Sequence, residues 1–170
     1  MLARRTRAGF LRWGPLRSVL LSLMRDHGAV GTLGIAVVDD DEIRRVHLEF
    51  LDEDCPTDVI SFRLDEGPPG KPDDTLGEVV ISAETAAREA ARRGLRPDLE
   101  IALYAIHGAL HLVGFDDSIP AERRRMRRWE RAYLSRYEVL ASRRFPRGGG
   151  RAVRRLSGGG TRSGEDFANS

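Results

Sequence analysis

The sequence predicts a single small domain that combines α-helices with β-strands. Three observations support this prediction. The chain has 170 residues, which fits one compact domain with tails. Its apolar residues recur at helical spacing in some segments and form short β-prone runs in others. Its residues are 41% hydrophobic but only 6% aromatic, so the core should consist mainly of Leu, Val, Ile and Ala.

The first half of the chain predicts two helices and two strands. In order, these are a helix over 16–24, a strand over 31–38, a helix over 39–50 and a strand over 57–62. Gly28 marks the end of the first helix. The three acids at 39–41 suit the cap and first turn of the second helix. Residues 66–74, rich in Gly and Pro, are typical of a surface loop.

The second half predicts one more strand, over 78–82, and three helices, over 83–93, 99–113 and 120–140. Ser82 can cap the first of these helices and Gly94 can end it. Pro120 suits the first turn of the third. An apolar stripe on that last helix is interpreted as core packing and comprises Met126, Trp129, Tyr133, Tyr137 and Leu140.

Charge and composition divide the chain into three parts. We predict a basic lead over 1–14, the domain over 15–142 and a disordered tail rich in Arg and Gly over 143–170. The ends are basic, whereas the central part is net acidic. Basic ends are usual in chains that contact a phosphate backbone, and a tail that only aids solubility is an equal alternative.

Cysteine content and hydropathy restrict the setting of the protein. Cys55 is the only cysteine, which excludes an intrachain disulfide and a zinc site built from several cysteines. We interpret it as a small packing residue. No apolar run approaches the length of a membrane span, which is about 18 residues or more. These observations predict a protein of a reducing, cytoplasmic compartment with no membrane partner.

The stretch 107–117, which reads HGALHLVGFDD, is the most informative of the chain. His107 and His111 lie four residues apart, so on a helix they share one face and can reach one metal ion. Gly114 can turn the chain back and bring the carboxylate of Asp117 to the imidazoles. Two imidazoles and a carboxylate form a three-ligand site with an open position for water, as in catalytic zinc sites.

Other interpretations of this stretch stay open. Both histidines could be ordinary polar residues at a helix end, and Asp116 is an alternative ligand to Asp117. Metzincin proteases have a similar spacing of ligands, but they need a glutamate as general base after the first histidine. Gly108 occupies that position here, which disfavours peptide hydrolysis.

The stretch 107–117 closely resembles the signature of the YbeY family, in which a histidine pair and a Gly-aromatic-Asp turn lead to a third histidine. Residues 54–62, DCPTDVISF, resemble the family's Pro-Thr-Asp-Val-Leu-Ser-Phe strand, and residues 76–82, LGEVVIS, are similar to its Gly-Asp-Ile strand. Matching motifs run from about Val37 to Leu140 in the same order.

This resemblance implies an α+β fold in which a small mixed sheet packs with helices and the metal site lies on a helix followed by a glycine turn, a zincin-like arrangement. It implies one zinc ion per chain, held by His107, His111 and Asp117. It also implies a single-strand-specific endoribonuclease of ribosomal RNA maturation, with RNA and the small ribosomal subunit as partners and no DNA.

The chain departs from the family pattern at several positions. The third ligand is Asp117 in place of histidine, and carboxylate oxygen is also an ordinary zinc ligand. Leu51 stands where the family has an arginine, and His47 where it has an asparagine. A lost arginine removes a positive charge that could hold a phosphate, and Arg63 is the candidate substitute. Beyond this candidate, only the metal's bound water is predicted to be catalytic.

Two alternatives to an active RNA hydrolase follow from these departures. The chain could be a ribosome-associated factor that binds metal but lacks catalysis, since Leu51 replaces the arginine. A metalloprotease is the weaker alternative.

Overall fold

A computed structural model of the protein describes residues 4–6, 11–64 and 75–143. These residues form a four-stranded mixed sheet and five helices, which confirms the predicted α+β class. In chain order the elements are β1 (Arg4–Thr6), α1 (Trp13–Asp26), β2 (Thr32–Val38), α2 (Asp40–Leu51), β3 (Val59–Arg63), β4 (Thr75–Ser82), α3 (Ala83–Arg93), α4 (Pro97–Leu112) and α5 (Pro120–Ser142). None of these helices combines the length and the apolar character needed to span a membrane.

The sheet has the order β1-β2-β4-β3. Strands β1, β2 and β4 are parallel, and β3 pairs antiparallel with β4 at the edge. Strand β1 lies within the predicted basic lead over 1–14, in which the sequence analysis identified no strand. Its three residues, Arg-Arg-Thr, carry no apolar alternation, so only the backbone pairing with β2 reveals the strand.

The two faces of the sheet bury separate apolar clusters. Leu33, Ile35 and Val37 of β2 belong to the larger cluster, which also contains residues of α1, α4 and α5. The intervening Ala36 and Val38 belong to a smaller cluster that includes α2. This alternation follows from the two-residue period of a strand. Helix α4 therefore lies in the larger core, where most of its side chains are buried.

The helix boundaries follow the local signals in the sequence. Asp39 accepts a hydrogen bond from Glu42 at the start of α2, and Ser82 accepts one from Thr85 at the start of α3. Gly94 ends α3 with a left-handed φ of 66°. On α5, the stripe predicted to face the core does so: Met126, Tyr133 and Tyr137 are buried, while Trp129 and Leu140 pack at its edge.

Two predicted segments fall largely outside the described residues. These are the surface loop over 66–74 and the disordered tail over 143–170, of which only Arg143 is described. The domain limits of 15 and 142 stay predictions.

Candidate metal centre

Helix α4 brings His107 and His111 together at the surface of the larger core. The centroids of the two rings are 4.6 Å apart, and the two Nε2 atoms are separated by 3.1 Å. Between them, Gly108 faces the sheet. A Cβ atom at this position would lie 2.6 Å from the Ser61 hydroxyl and from a methyl group of Val79, so the helix approaches the sheet as closely as only glycine allows.

Hydrogen bonds fix the tautomer of both histidines. The Nδ1 atom of His107 lies 2.7 Å from a carboxylate oxygen of Glu130, and the Nδ1 atom of His111 lies 3.1 Å from the carbonyl oxygen of Phe115. Carboxylate and carbonyl oxygens only accept hydrogen bonds, so each Nδ1 carries the hydrogen and donates it. In the neutral rings, both Nε2 atoms are then left with lone pairs.

The two Nε2 atoms are therefore both acceptors. At a separation of 3.1 Å they would repel each other without a cation between them. Zinc binds imidazole nitrogen at about 2.0–2.1 Å, so one ion can contact both atoms at this separation. In metal-binding histidines, one ring nitrogen usually binds the metal while the other donates a hydrogen bond that orients the ring. The two Nε2 atoms and the two Nδ1 atoms here match this pattern.

The turn after α4 brings Asp117 to the histidine pair. Gly114 has a φ of 97°, a left-handed conformation that side chains rarely adopt, which agrees with the predicted turn. A carboxylate oxygen of Asp117 lies 3.9 Å from Nε2 of His111. One ligand atom from each of His107, His111 and Asp117 lies within 4.8 Å of the other two. The three predicted ligands are thus close enough to share one ion.

Asp116, the alternative ligand, is engaged elsewhere. Its carboxylate accepts hydrogen bonds from the backbone N–H of Ser118 at 2.9 Å and from the Ser118 hydroxyl at 2.6 Å. The hydrogen bonds from Ser118 hold the pKa of Asp116 below its ordinary value. This carboxylate stabilises the turn, while Arg123 donates a hydrogen bond to the carbonyl oxygen of Asp117 at 2.9 Å. Hydrogen bonds from Ser118 and from Arg123 thus both stabilise the turn.

Glu130 is a residue of this centre that the sequence analysis missed. Burial acts to lower the pKa of His107, but the hydrogen bond and the negative charge of Glu130 outweigh it, so the pKa is raised. A signal was present in the sequence. Glu130 follows Met126 by four residues and precedes Tyr133 by three, so it is a charged residue on the apolar stripe of α5.

Glu130→Ala should weaken zinc binding by about 10- to 100-fold, the usual cost of losing the partner that orients a metal-binding histidine. Glu130→Gln should fall between this variant and the wild type because it keeps an acceptor but loses the charge. Competitive zinc titration against a chromophoric chelator measures the affinity. Glu122→Ala, on the first turn of the same helix, is the matched control, and equal effects at both positions would contradict the prediction.

The candidate centre lies on the wall of a groove of about 820 Å³. Helices α3, α4 and α5 and residues 56–58 line this groove. Four arginines border it, namely Arg88, Arg93, Arg123 and Arg127. Arg88 pairs with Asp40, and Arg93 pairs with Glu100. The side chain of Arg127 has no hydrogen bond or ion pair with any part of the chain that the structure describes.

Arg63 is not brought to this groove. It lies at the far end of β3 from Asp58, which is a groove residue, and it borders two other cavities. Leu51 is exposed at the end of α2 and is also absent from the groove lining. Neither Leu51, the position of the family arginine, nor Arg63, its candidate substitute, therefore contributes to the groove wall beside the histidines.

Comparison with known proteins identifies the family of this chain. The family model described as endoribonuclease YbeY matches residues 16–138. The chain belongs to the YbeY family. It is 39% identical to the endoribonuclease YbeY of Thermobifida fusca over 120 residues, which cover 68% of this chain and 77% of that protein. It is 34% identical to the endoribonuclease YbeY of Desulfitobacterium hafniense over 138 residues, which cover 78% and 86%.

A solved structure supports the fold of this YbeY family member. The solution structure of TM1509 from Thermotoga maritima has a TM-score of 0.59 with it and covers 82% of this chain and 89% of its own. The two are 23% identical in sequence, so this likeness concerns the fold alone. Membership of the YbeY family supports an enzyme of the hydrolase class with an endoribonuclease role.

Proposed function

We propose that this chain is a zinc-dependent endoribonuclease that cleaves single-stranded RNA during the maturation of ribosomal RNA. His107, His111 and Asp117 would hold one zinc ion. The observation that carries the proposal is the convergence of two imidazole acceptors, each oriented through its Nδ1 atom, beside a carboxylate on the wall of a groove bordered by arginines.

The donor set fits zinc. Two neutral imidazoles and one carboxylate are the ligands of many catalytic zinc sites, which keep one position open. When bound, the metal supplies Lewis acidity toward a phosphoryl oxygen and lowers the pKa of water. Glu130 holds His107 in the required tautomer, and the carbonyl oxygen of Phe115 does the same for His111.

Arg127 is the side chain that best fits the role of the missing family arginine. It lies one helical turn before Glu130 on α5 and borders the groove without a partner among the described residues. A guanidinium group in this position can donate two hydrogen bonds to a phosphate and offset the charge that develops during cleavage. We propose that Arg127 positions the scissile phosphate. Arg63 is less suited to this role because it lies at the end of β3, outside the lining of the groove.

The biological setting rests on the resemblance noted in the sequence. It favours ribosomal RNA as substrate, the small ribosomal subunit as partner and the cytoplasm as location. A second candidate function, a metal-binding ribosome-associated factor without catalysis, is favoured by Leu51 at the position of the family arginine. A metalloprotease is disfavoured, because position 108 packs against the sheet and no side chain there could act as general base.

The test is hydrolysis of a fluorogenic single-stranded RNA by the full chain with zinc, beside DNA of the same sequence and casein. We expect cleavage of the RNA alone, loss of cleavage with a chelator and recovery on adding zinc. Binding of zinc and RNA without cleavage would favour the non-catalytic factor. Cleavage of casein would favour the protease.

Zinc retention should fall as the pH decreases, because only neutral histidines bind metal. The raised pKa of His107 means that its protonated form persists above the ordinary value of 6.5. Protons should thus compete with zinc at a higher pH than for an unperturbed histidine, with full retention on the alkaline side. Zinc release measured over a pH series checks this. Retention that does not change with pH would contradict the assigned ligands.

A further inference from the structure

A second cluster of metal-binding side chains lies at the C-terminal end of α2, outside the groove just described. The helix ends at Leu51, and the next residue, Asp52, has a left-handed φ of 57° that reverses the chain. The backbone N–H of Glu53 donates to the carbonyl oxygen of His47 at 3.4 Å, which closes the turn. This reversal brings Glu53 and Cys55 back alongside His47 on the last turns of the helix.

An ion pair holds the reversed segment in place. Arg44 donates two hydrogen bonds to the two carboxylate oxygens of Asp54, at 2.7 Å and 2.8 Å. A two-point contact fixes orientation as well as distance. Asp54, which lies between Glu53 and Cys55 in the sequence, therefore ties this segment to the helix. The cluster is therefore preorganised by a contact that does not use its own side chains.

The tautomer of His47 is fixed in the same way as that of the groove histidines. Its Nδ1 atom lies 2.8 Å from the carbonyl oxygen of Cys55, so Nδ1 donates the hydrogen bond. The Nε2 atom of the neutral ring keeps its lone pair, yet it lies 3.3 Å from a carboxylate oxygen of Glu53. Two acceptors thus face each other, although the histidine is only 8% exposed.

The thiol of Cys55 completes the cluster. The sequence analysis interpreted Cys55 as a packing residue, but it is exposed, because the turn after α2 places it at the surface. Its Sγ atom lies 3.7 Å from Nδ1 of His47. One ligand atom from each of His47, Glu53 and Cys55 lies within 4.8 Å of the other two.

We propose that His47, Glu53 and Cys55 form a second metal site that takes one zinc ion or a similar borderline-soft divalent cation. Imidazole nitrogen, thiolate sulfur and carboxylate oxygen are the three donor types that zinc binds. A thiolate selects against magnesium and calcium, which prefer sites made of oxygen alone. Three protein ligands leave one position for water or for a donor from a partner.

An ion at this site would act on the groove indirectly. Residues 56–58, which follow Cys55 directly, form part of the groove wall. A metal that ties Cys55 to α2 would therefore restrain the start of this wall. The site is separate from the candidate centre on α4, since the two share no residue.

A proton is the competing explanation for the short contact between His47 and Glu53, because a protonated imidazole would form an ion pair with the carboxylate. The two explanations differ in the thiol. An ion pair leaves Cys55 a free thiol, whereas a metal converts it to a bound thiolate. Because the chain has one cysteine, any signal from a metal-bound thiolate reports this site alone.

The test is titration of the metal-free full chain with Co²⁺ under reducing conditions, with absorption recorded in the near ultraviolet. A sulfur-to-cobalt charge-transfer band should rise and saturate at one equivalent for this site, and zinc should displace it. Cys55→Ser should abolish the band. His47→Asn, which restores the family residue, and Glu53→Gln should both weaken cobalt binding at least about tenfold, as expected for loss of one ligand or its orientation.

Two controls separate this site from the groove site. Glu49→Gln changes an exposed carboxylate on the same helix and should leave the band unchanged. His107→Ala should also keep the band, even if it removes RNA cleavage. The proposal is overturned if the wild type gives no band, if the band survives in both His47→Asn and Glu53→Gln, or if its intensity requires two chains to share one ion at high protein concentration.

Discussion

Asp117→Ala is expected to abolish tight zinc binding, and with it RNA cleavage, because a pair of histidines alone forms a weak site. Asp117→His should retain zinc, since this substitution restores the third ligand of the family pattern. Elemental analysis after dialysis against a weak chelator gives the zinc content, and the fluorogenic RNA assay gives the rate. Both variants change one half-buried side chain that is not part of the apolar core, so the fold should be preserved.

Asp116→Ala is the matched control for this prediction. Asp116 is the neighbouring carboxylate, but it accepts hydrogen bonds from Ser118 and lies outside the group of candidate ligands. The Asp116→Ala variant should therefore lose much less zinc than Asp117→Ala. Equal losses in the two alanine variants would mean that the shape of the turn, rather than one carboxylate, determines metal binding.

Arg127→Ala is expected to lower the rate of RNA cleavage by about 10² to 10³, the usual cost of losing one donor that stabilises a transition state. Zinc content should not change, because Arg127 is not among the candidate ligands. Arg127→Lys should recover only part of the rate, since an ammonium group keeps the charge but cannot make the two-point contact of a guanidinium. Single-turnover kinetics with saturating enzyme separates this effect from weaker RNA binding.

Arg128→Ala serves as the control, because Arg128 is an exposed arginine next in sequence that does not border the groove. Its loss should affect the rate little. Arg63→Ala should also have little effect. If Arg127→Ala cleaves normally while Arg63→Ala is inactive, the role belongs to Arg63, and the groove seen here is not the path of the scissile phosphate. A gain for Leu51→Arg in the wild type would show that Arg127 fills the missing arginine's role only in part.

Much of the fold follows from local signals in the sequence. Ser82 and Gly94 bound α3 because capping and the left-handed conformation depend on residues close in the chain. The turn at Gly114 is predictable for the same reason. Strand β1 is not predictable from local signals, because it is defined by its backbone pairing with β2. In that pairing Arg4 lies opposite Ile35, about 30 residues further along the chain.

The candidate centre shows the same limit. The spacing of His107, His111 and Asp117 places three ligands at one helix end. Glu130 reaches His107 from another helix, 23 residues further along the chain, and only the packing of α4 against α5 brings the two together. The exposure of Cys55 likewise depends on how the chain reverses after α2, which the residue types around it do not indicate.

The close approach of α4 to the sheet at Gly108 has a consequence for how the groove could change in evolution. Glycine inside a helix costs about 0.5–1 kcal/mol relative to alanine, whereas forcing an extra carbon into a packed core costs about 1–3 kcal/mol. With Ser61 and Val79 each 2.6 Å from the missing Cβ, the second cost exceeds the first. The space between helix and sheet is thus too small for even one methyl group at position 108. A substitution of Gly108 by a larger residue would push the helix away from the sheet and move His107 outward with it.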